Sequence, residues 1–386
     1  MKNFLDGRWT LLRILVVGNY FYPEHTGGVE IVSYNLVKHY REFGCDVRWV
    51  AADVPPNFRK VGSDDVPIRS WNFAEEKLGF PSPLPNFRAL TKIINSVRWC
   101  DIVHLQDCLY PINIIVFFVA KFALKPILIT QYAKIIPYKQ FYKRLLQVMS
   151  YQTIGRLMFA LADRVVFITQ NVLDNMQYLN PAKLKNVVPL GVDTHFYSPL
   201  PENERKRIRT EISGDSIMPI ILFVGRMVER KGVHLIQPLI EKYNGWHWVL
   251  VGRPDDYNPA KWLYSNLTYY QYASEQQLRD LYASADLLVH PSVGEGITLT
   301  VSESLSSGTP VIISSESLHD VAEKDRRVFI PVSPLIEEIE DALLLAFADM
   351  GELRKKGVLC REYALNRLSW KNMADRYLHI LRELGR

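Results

Sequence analysis

Residues 291–312, PSVGEGITLTVSESLSSGTPVI, hold two carboxylates, Glu295 and Glu303, the first set between glycines and the second within a helix-forming run. A carboxylate in a turn accepts hydrogen bonds from hydroxyls and repels phosphate, so Glu295 suits a sugar. Glu303 lies two helical turns further on and reaches the same region only if its helix face turns inward. On spacing alone, a simpler account makes Glu303 a solvated helix residue and Glu295 a partner of the helix dipole. Anion-binding chemistry has two other candidates. Arg226 and Lys231 follow the apolar run IILFVG, where they are placed to neutralise a diphosphate, Arg as a bidentate fork and Lys as a point charge. A solvated, charged helix start fits the same two residues. Gly27 and Gly28 precede a helical pattern, and such a pair lets backbone N–H groups approach a phosphate, although ordinary turns use it too. The spacing is not the G-x-G-x-x-G of dinucleotide binding. No Asp-x-Asp occurs, so a two-carboxylate metal site is not indicated.

The elements that would position these groups are legible around them. ADLLVHPS (285–292) and PVIISS (310–315) read as buried strands. Between them the segment from Thr298 to Ser307 has room for about two and a half helical turns. Gly308 is a left-handed C-cap and Pro310 stops continuation. Strand, helix, strand makes one parallel crossover, with the loop at Gly294–Ile297 on the carboxyl edge of the sheet. The same alternation recurs throughout. LRILVVG (12–18), CDVRWVAA (45–52), CDIVHLQD (100–107), PILITQY (126–132) and DRVVFIT (163–169) are the strands of a first half. IILFVG (220–225), WHWVLVG (246–252), LTYYQY (267–272), DLLVH (286–290) and PVIIS (310–314) are those of a second. The expected architecture is α/β, two doubly wound parallel sheets facing an interdomain cleft. The Pro-containing, charge-rich stretch THFYSPLPENERKRI (194–208) marks the division, giving domains 1–198 and 199–368 with a C-terminal helix, 369–386, packed back on the first.

The 386 residues suit two domains, and 48% apolar with 23% charged residues describes a globular chain. Four scattered cysteines without a Cys-x-x-Cys pair fit a reducing compartment with neither disulfide framework nor structural zinc. The N-terminal MKNFLDGRWTLLRILVVG reads as a first strand rather than a signal peptide, and INIIVFFVA (112–120) is too short to span a bilayer. A cytoplasmic protein, free or peripheral to the membrane, is expected. Of the net charge of +5, residues 1–200 carry the positive share, with 23 Lys and Arg against 15 Asp and Glu. No motif supports nucleic acid as a partner, and basic charge alone is poor evidence for one.

Taken in order, GGVE, DIVHLQD, VVPLGVDTHFYSP, FVGRMVERKG, ASADLLVHPSVGEGITLTVSESLSSGTPVI and LSWKNMADRYLHILREL resemble a GT-B glycosyltransferase of family four across nearly the whole chain. The resemblance implies two Rossmann-like domains. It also implies retaining transfer of a sugar from a nucleotide-diphosphate sugar, UDP- or GDP-linked, with no metal or other cofactor required. The acceptor it implies is a glycan or lipid-linked oligosaccharide of cell-surface polysaccharide or lipopolysaccharide assembly. Position by position, Glu295 matches the glutamate that holds donor-sugar hydroxyls and Glu303 the one that binds the ribose. Arg226 and Lys231 match the diphosphate cations. Gly27 and Gly28 match the loop that closes over the phosphate, and the backbone of Gly296, Ile297, Thr298 and Leu299 matches the helix start facing sugar and phosphates. Tyr272 lies near the position that faces the base. His25 is a candidate for phosphate or acceptor contact. Three positions depart from the family pattern: Tyr132 stands where a His is usual, Leu190 where an Asn is, and Ile297-Thr298 where Phe-Gly is. A sugar-nucleotide epimerase of related architecture and a non-catalytic basic binding module are the alternatives; the run from Arg226 to Pro310 disfavours the first.

Between Asp107 and Asp163 the chain has no acidic residue, whereas Lys134, Lys139, Lys143 and Arg144 lie there among Phe141, Tyr142 and other aromatics. Basic charge interleaved with aromatic and aliphatic groups is the composition of a segment lying on anionic lipid. Residues 138–162 are expected to form one or two helices with such a face, a membrane-docking surface on the inner leaflet.

Overall fold

The computed structural model describes residues 12–25, 27–54, 64–72, 83–132, 141–179, 186–319 and 321–385. The chain divides into two compact units, residues 1–188 with 373–386, and 189–372. The division therefore falls ten residues before the expected 198 and returns four after the expected 368. Residues 189–198 side with the second unit because they pack there: Val192 bridges to Ser369, its N–H donating to Leu368 O (2.7 Å). A Cβ on Gly191 would lie 2.3 Å from the Trp370 ring. Tyr197 is buried in that unit's core.

The first unit holds an eight-stranded sheet in the order β4-β3-β2-β1-β5-β6-β7-β8. Its strands are β1 (Arg13–Tyr20), β2 (Asp46–Asp53), β3 (Asp65–Trp71), β4 (Leu84–Pro85), β5 (Ile102–Gln106), β6 (Ile127–Gln131), β7 (Arg164–Phe167) and β8 (Asn186–Val187). Every pairing is parallel except β3 with β4. The second unit has a six-stranded, wholly parallel sheet of β9 (Ile220–Val224), β10 (His247–Val251), β11 (Leu267–Tyr270), β12 (Leu287–His290), β13 (Val311–Ser314) and β14 (Ile330–Val332), in the order β11-β10-β9-β12-β13-β14. Helices cover both faces, which is why central strands such as VVG of β1 and LLVH of β12 read as continuous apolar runs. In the second sheet alternate residues feed two cores, Leu222, Val249 and Leu288 on one face and Ile221, Trp248 and Leu287 on the other.

The crossover containing the two glutamates is built as its sequence requires. The helix runs Leu299–Ser306, Thr298 is its N-cap with Oγ1 accepting from Val301 N (3.4 Å), and Gly308 takes φ 76°. Arg361 Nη1 donates to Ser306 O (2.7 Å), a carbonyl that the helix end leaves open, and to Tyr197 O (2.9 Å). At the same, amino-terminal edge of the sheet, Asp286 accepts from Arg205, Arg209 and the Ile220 N–H at 2.7–2.9 Å. Arg209 and Asp286 are almost wholly buried, so loss of either partner costs about 3–5 kcal/mol.

Among the described residues no helix is long and apolar enough to cross a membrane. INIIVFFVA lies within the helix Pro111–Phe122. Residues 141–161 form a helical run, Phe141–Ser150 and Arg156–Leu161, with a wider turn at Tyr151–Gly155 between them. Lys134 and Lys139 lie outside the described residues.

Candidate active site

In the second sheet β9 and β12 are neighbours, and on either side of them the strand order runs in opposite directions. Loops leaving the carboxyl ends of such a pair diverge and open a crevice. The loop after β9 carries Arg226, Arg230 and Lys231; the loop after β12 carries Ser292 and Glu295. They are stitched together. Val293 N donates to Arg230 O (3.0 Å), and Gly232, at φ 82°, brings its backbone so near that a Cβ would lie 2.5 Å from Pro291 Cγ. Gly294, at φ 72°, turns the second loop, and its N–H donates to the Glu316 carboxylate beyond β13.

Glu295 is the hub of this arrangement. Lys231 Nζ donates to Oε2 at 2.6 Å, Ser292 Oγ to Oε2 at 2.7 Å, and Arg230 Nη1 to Oε1 at 2.5 Å. Burial would raise the pKa of this carboxyl; the contact with His290 and the Lys231 charge outweigh that and hold it well below the usual carboxylate range. His290 is itself almost wholly buried with Nε2 3.6 Å from Oε2, and burial pushes its pKa down, so the imidazole is neutral near pH 7. Glu295 is thus a fixed, ionised acceptor rather than a proton donor.

Glu303 turns inward. Burial raises its pKa to about 7, opposed by the adjoining hydroxyls of Tyr282 and Tyr197, while Glu275 pushes it further up. It is not a solvated helix residue, and its neighbours are these tyrosines. Arg226 is half-exposed and loosely paired with Asp255 (3.8 Å). Tyr272 is 72% exposed in the loop after β11, whereas Ile297 is buried beside the N-cap Thr298. The N–H groups of Leu299 and the residue after it belong to the first helical turn, which has no partners within the helix. Gly296 sits between Glu295 and that turn.

The first unit has the equivalent crevice between β1 and β5. Gly27 is the N-cap of the helix Gly28–Glu42, and the space beside it is filled by the helix's own Glu30: a Cβ on Gly27 would lie 2.1 Å from Glu30 Oε2. Gly28 faces open space. His25 stacks on Tyr20 (4.0 Å) and its Nε2 donates to Val54 O (2.9 Å). The Tyr132 hydroxyl donates to Gln106 Oε1, and burial raises its pKa well above the ordinary value. Asp107 ends β5 with φ 77°, an uncommon conformation for a residue with a side chain. Its carboxylate accepts from Cys108 N (2.7 Å), Leu109 N (3.2 Å) and Gln131 Nε2 (3.1 Å), and burial raises its pKa to about 6. His104 is internal, bonded to Tyr40 and Thr130 through its two ring nitrogens, with burial lowering its pKa to about 3.

Of the residues picked out by sequence, Lys231 and Glu295 are in direct contact across two loops, and Arg226 lies on the loop that carries Lys231. Sequence reasoning missed Arg230, Ser292 and Asp107. Arg230 adjoins Lys231, and Ser292 stands three residues before Glu295, so proximity in the chain was the available signal. For Asp107, at a strand end, the left-handed backbone left no mark in the sequence.

The second unit is thus an α/β domain with a cation-lined crevice and an ionised carboxylate, set where a parallel sheet reverses its strand order, the usual ligand position in open α/β sheets. Residues 218–349 match the family model for glycosyl transferases group 1, and residues 26–196 the model for glycosyltransferase family 4. The chain belongs to this family of GT-B glycosyltransferases. It is 24% identical to alpha-maltose-1-phosphate synthase of Mycolicibacterium smegmatis over 97% of this chain and 100% of that protein. It is 22% identical to GDP-mannose:cellobiosyl-diphosphopolyprenol alpha-mannosyltransferase of Xanthomonas oryzae, covering 95% and 96% of the two chains. HepE of Anabaena, solved in complex with UDP, superposes with a TM-score of 0.73 at 14% identity, over 97% of this chain and 100% of that one.

Proposed function

We propose that the protein transfers a sugar, with retention of anomeric configuration, from a UDP- or GDP-sugar to a glycan or lipid-linked acceptor of cell-surface polysaccharide assembly. The observation that carries this reading is the pairing of Lys231 with Glu295 between β9 and β12. Arg226, Lys231 and the helix start at Leu299 would face the diphosphate, Glu295 the sugar hydroxyls, and Glu303 the ribose. As the bond from the anomeric carbon to the phosphate oxygen breaks, negative charge grows on the nucleoside diphosphate. Fixed cations and N–H groups stabilise that charge more in the transition state than in the bound donor. The acceptor hydroxyl attacks from the same face, and its proton passes to the departing phosphate oxygen. In this scheme Glu295 accepts hydrogen bonds and forms no covalent link, and the side-chain cations do the work for which other enzymes use a metal. Support for a nucleotide sugar donor comes from the HepE complex with UDP and from the name of the Xanthomonas relative, which also pairs such a donor with a polyprenol-linked acceptor.

A polyprenol-linked acceptor would require the enzyme to work at a membrane, on the cytoplasmic face where nucleotide sugars are found. The helix Phe141–Ser150 buries none of its residues, and Phe141, Tyr142, Leu145, Leu146 and Met149 are all exposed beside Lys143 and Arg144. Each basic residue near an anionic surface contributes about 1 kcal/mol. Mass spectrometry of donor turnover across purified nucleotide sugars tests the reaction: release of a nucleoside diphosphate from one of them is expected, and none from any of them rejects the reading. Liposome flotation tests the surface. Binding to anionic and not neutral vesicles, weakened by Lys143→Ser with Arg144→Ser, is expected, and equal binding to both vesicle types defeats it.

A further inference from the structure

We propose that Arg230 is a positioning residue that holds Glu295 toward the donor sugar, leaving Lys231 to serve the diphosphate. The inference rests on reading this crevice as the donor site. The two cations approach opposite oxygens of one carboxylate, Arg230 at Oε1 (2.5 Å) and Lys231 at Oε2 (2.6 Å). Their anchoring differs. The Arg230 backbone carbonyl accepts from Val293 N (3.0 Å), so Arg230 is fixed to the loop of Glu295 through backbone and side chain together. Lys231 reaches Glu295 with its ammonium alone, its stem lying along the end of β9, where Cδ is 3.6 Å from the Cβ position of Gly225.

An ammonium has three donors, and the Glu295 contact uses one of them. A diphosphate entering the crevice competes for this compact, strongly charged head. A carboxylate compensated by Lys231 alone would then lose its partner at the moment the sugar needs a fixed acceptor. The guanidinium on Oε1, with Ser292 on Oε2, keeps the carboxylate ionised and oriented while Lys231 turns to phosphate. Arg230 touches neither phosphate nor sugar in this arrangement; it acts through Glu295.

The two roles separate in measurement. In the full-length protein, Arg230→Ala, Arg230→Gln and Arg230→Lys are compared with wild type in two assays. Calorimetry gives the affinity for UDP and GDP, and steady-state kinetics use whichever nucleotide sugar the wild type turns over. The expected result is a nucleoside diphosphate Kd within about twofold of wild type in all three variants. In Arg230→Ala and Arg230→Gln, kcat/KM should fall more than about twentyfold, mostly through kcat. Arg230→Lys should recover most of that loss, because a cation on Oε1 is restored. Diphosphate affinity falling in step with kcat/KM would make Arg230 a phosphate ligand and overturn the inference, as would unchanged kcat/KM in the Ala and Gln variants. A wild type that binds neither UDP nor GDP overturns the donor-site reading itself, and this inference with it.

Discussion

In the first sheet the strand order turns back between β1 and β5, and in the second between β9 and β12. Both crevices lie at the carboxyl edge of a parallel sheet, and each is followed by a helix start rich in glycine or hydroxyl residues. Their electrostatics are opposed. The crevice of the second unit presents Arg230 and Lys231 on an ionised Glu295, with Arg226 nearby in the chain and loosely paired with Asp255. The crevice of the first presents Glu30 against Gly27 and the buried Asp107, both near enough to raise the pKa of Tyr110 beyond what burial does. One topology therefore makes two kinds of site, and the loop residues choose which. On the proposed function, the diphosphate would be held at the second crevice, and the carboxylates, phenols and amides of the first would suit a polyhydroxyl ligand.

The largest effect should come from removing a cation of the second crevice. Lys231→Ala is expected to lower turnover about 100-fold or more, the scale of losing one group that stabilises developing charge, and Arg226→Ala more than about tenfold. Steady-state kinetics on the cognate nucleotide sugar decide this. Near-normal rates in both would make these cations solvated surface charge and erase the contrast between the units.

A smaller effect, and one with a pH signature, is expected at Glu303. Its pKa, raised to about 7 by burial, lies above the ordinary 4.5. A folded-state pKa above the unfolded one stabilises the fold fully below the unfolded value, and that contribution is lost as pH rises through about 7. Ribose hydroxyls donate to the ionised form, so binding should tighten as stability declines. Affinity for the nucleotide sugar, whose diphosphate does not titrate near neutrality, should rise about tenfold from pH 6 to pH 8. Glu303→Gln should flatten that profile, and a pH-independent affinity in wild type would remove Glu303 from the ribose site.

These two cases show what the sequence could and could not say. The strand–helix alternation, the helix between Thr298 and Ser307 and its stop at Gly308 and Pro310 were readable because each is a local consequence of residue type. The strands β3, β4, β8 and β14 were not, being short or interrupted by Pro67, Pro85 and Pro331, which removes the apolar run that marks a strand. The inward turn of Glu303 depends on Tyr197, more than a hundred residues earlier, and no spacing within its own helix reveals it. Arg230 was hidden by a different cause. Adjacent cations at a loop look interchangeable in sequence, and only the placement of two carboxylate oxygens separates them.

The smallest effect on donor binding should come from the first unit. Asp107→Ala removes acceptors for Cys108 and Leu109 N–H and leaves an alanine at φ 77°. A loss of about 2 kcal/mol in stability is expected, followed by thermal melting, with diphosphate affinity unchanged. A large loss of that affinity, with the fold intact, would place part of the phosphate site in the first unit and blur the comparison.

Calorimetric titration of UDP and GDP into the full-length protein, as wild type and as the Arg226→Ala, Lys231→Ala double variant, tests the opposition between the crevices most directly. One site per chain for the cognate diphosphate is expected in wild type, with affinity at least about 100-fold weaker in the double variant and its melting temperature preserved. Retention of wild-type affinity and stoichiometry by the double variant would contradict the account, because the diphosphate would then be held somewhere other than between β9 and β12.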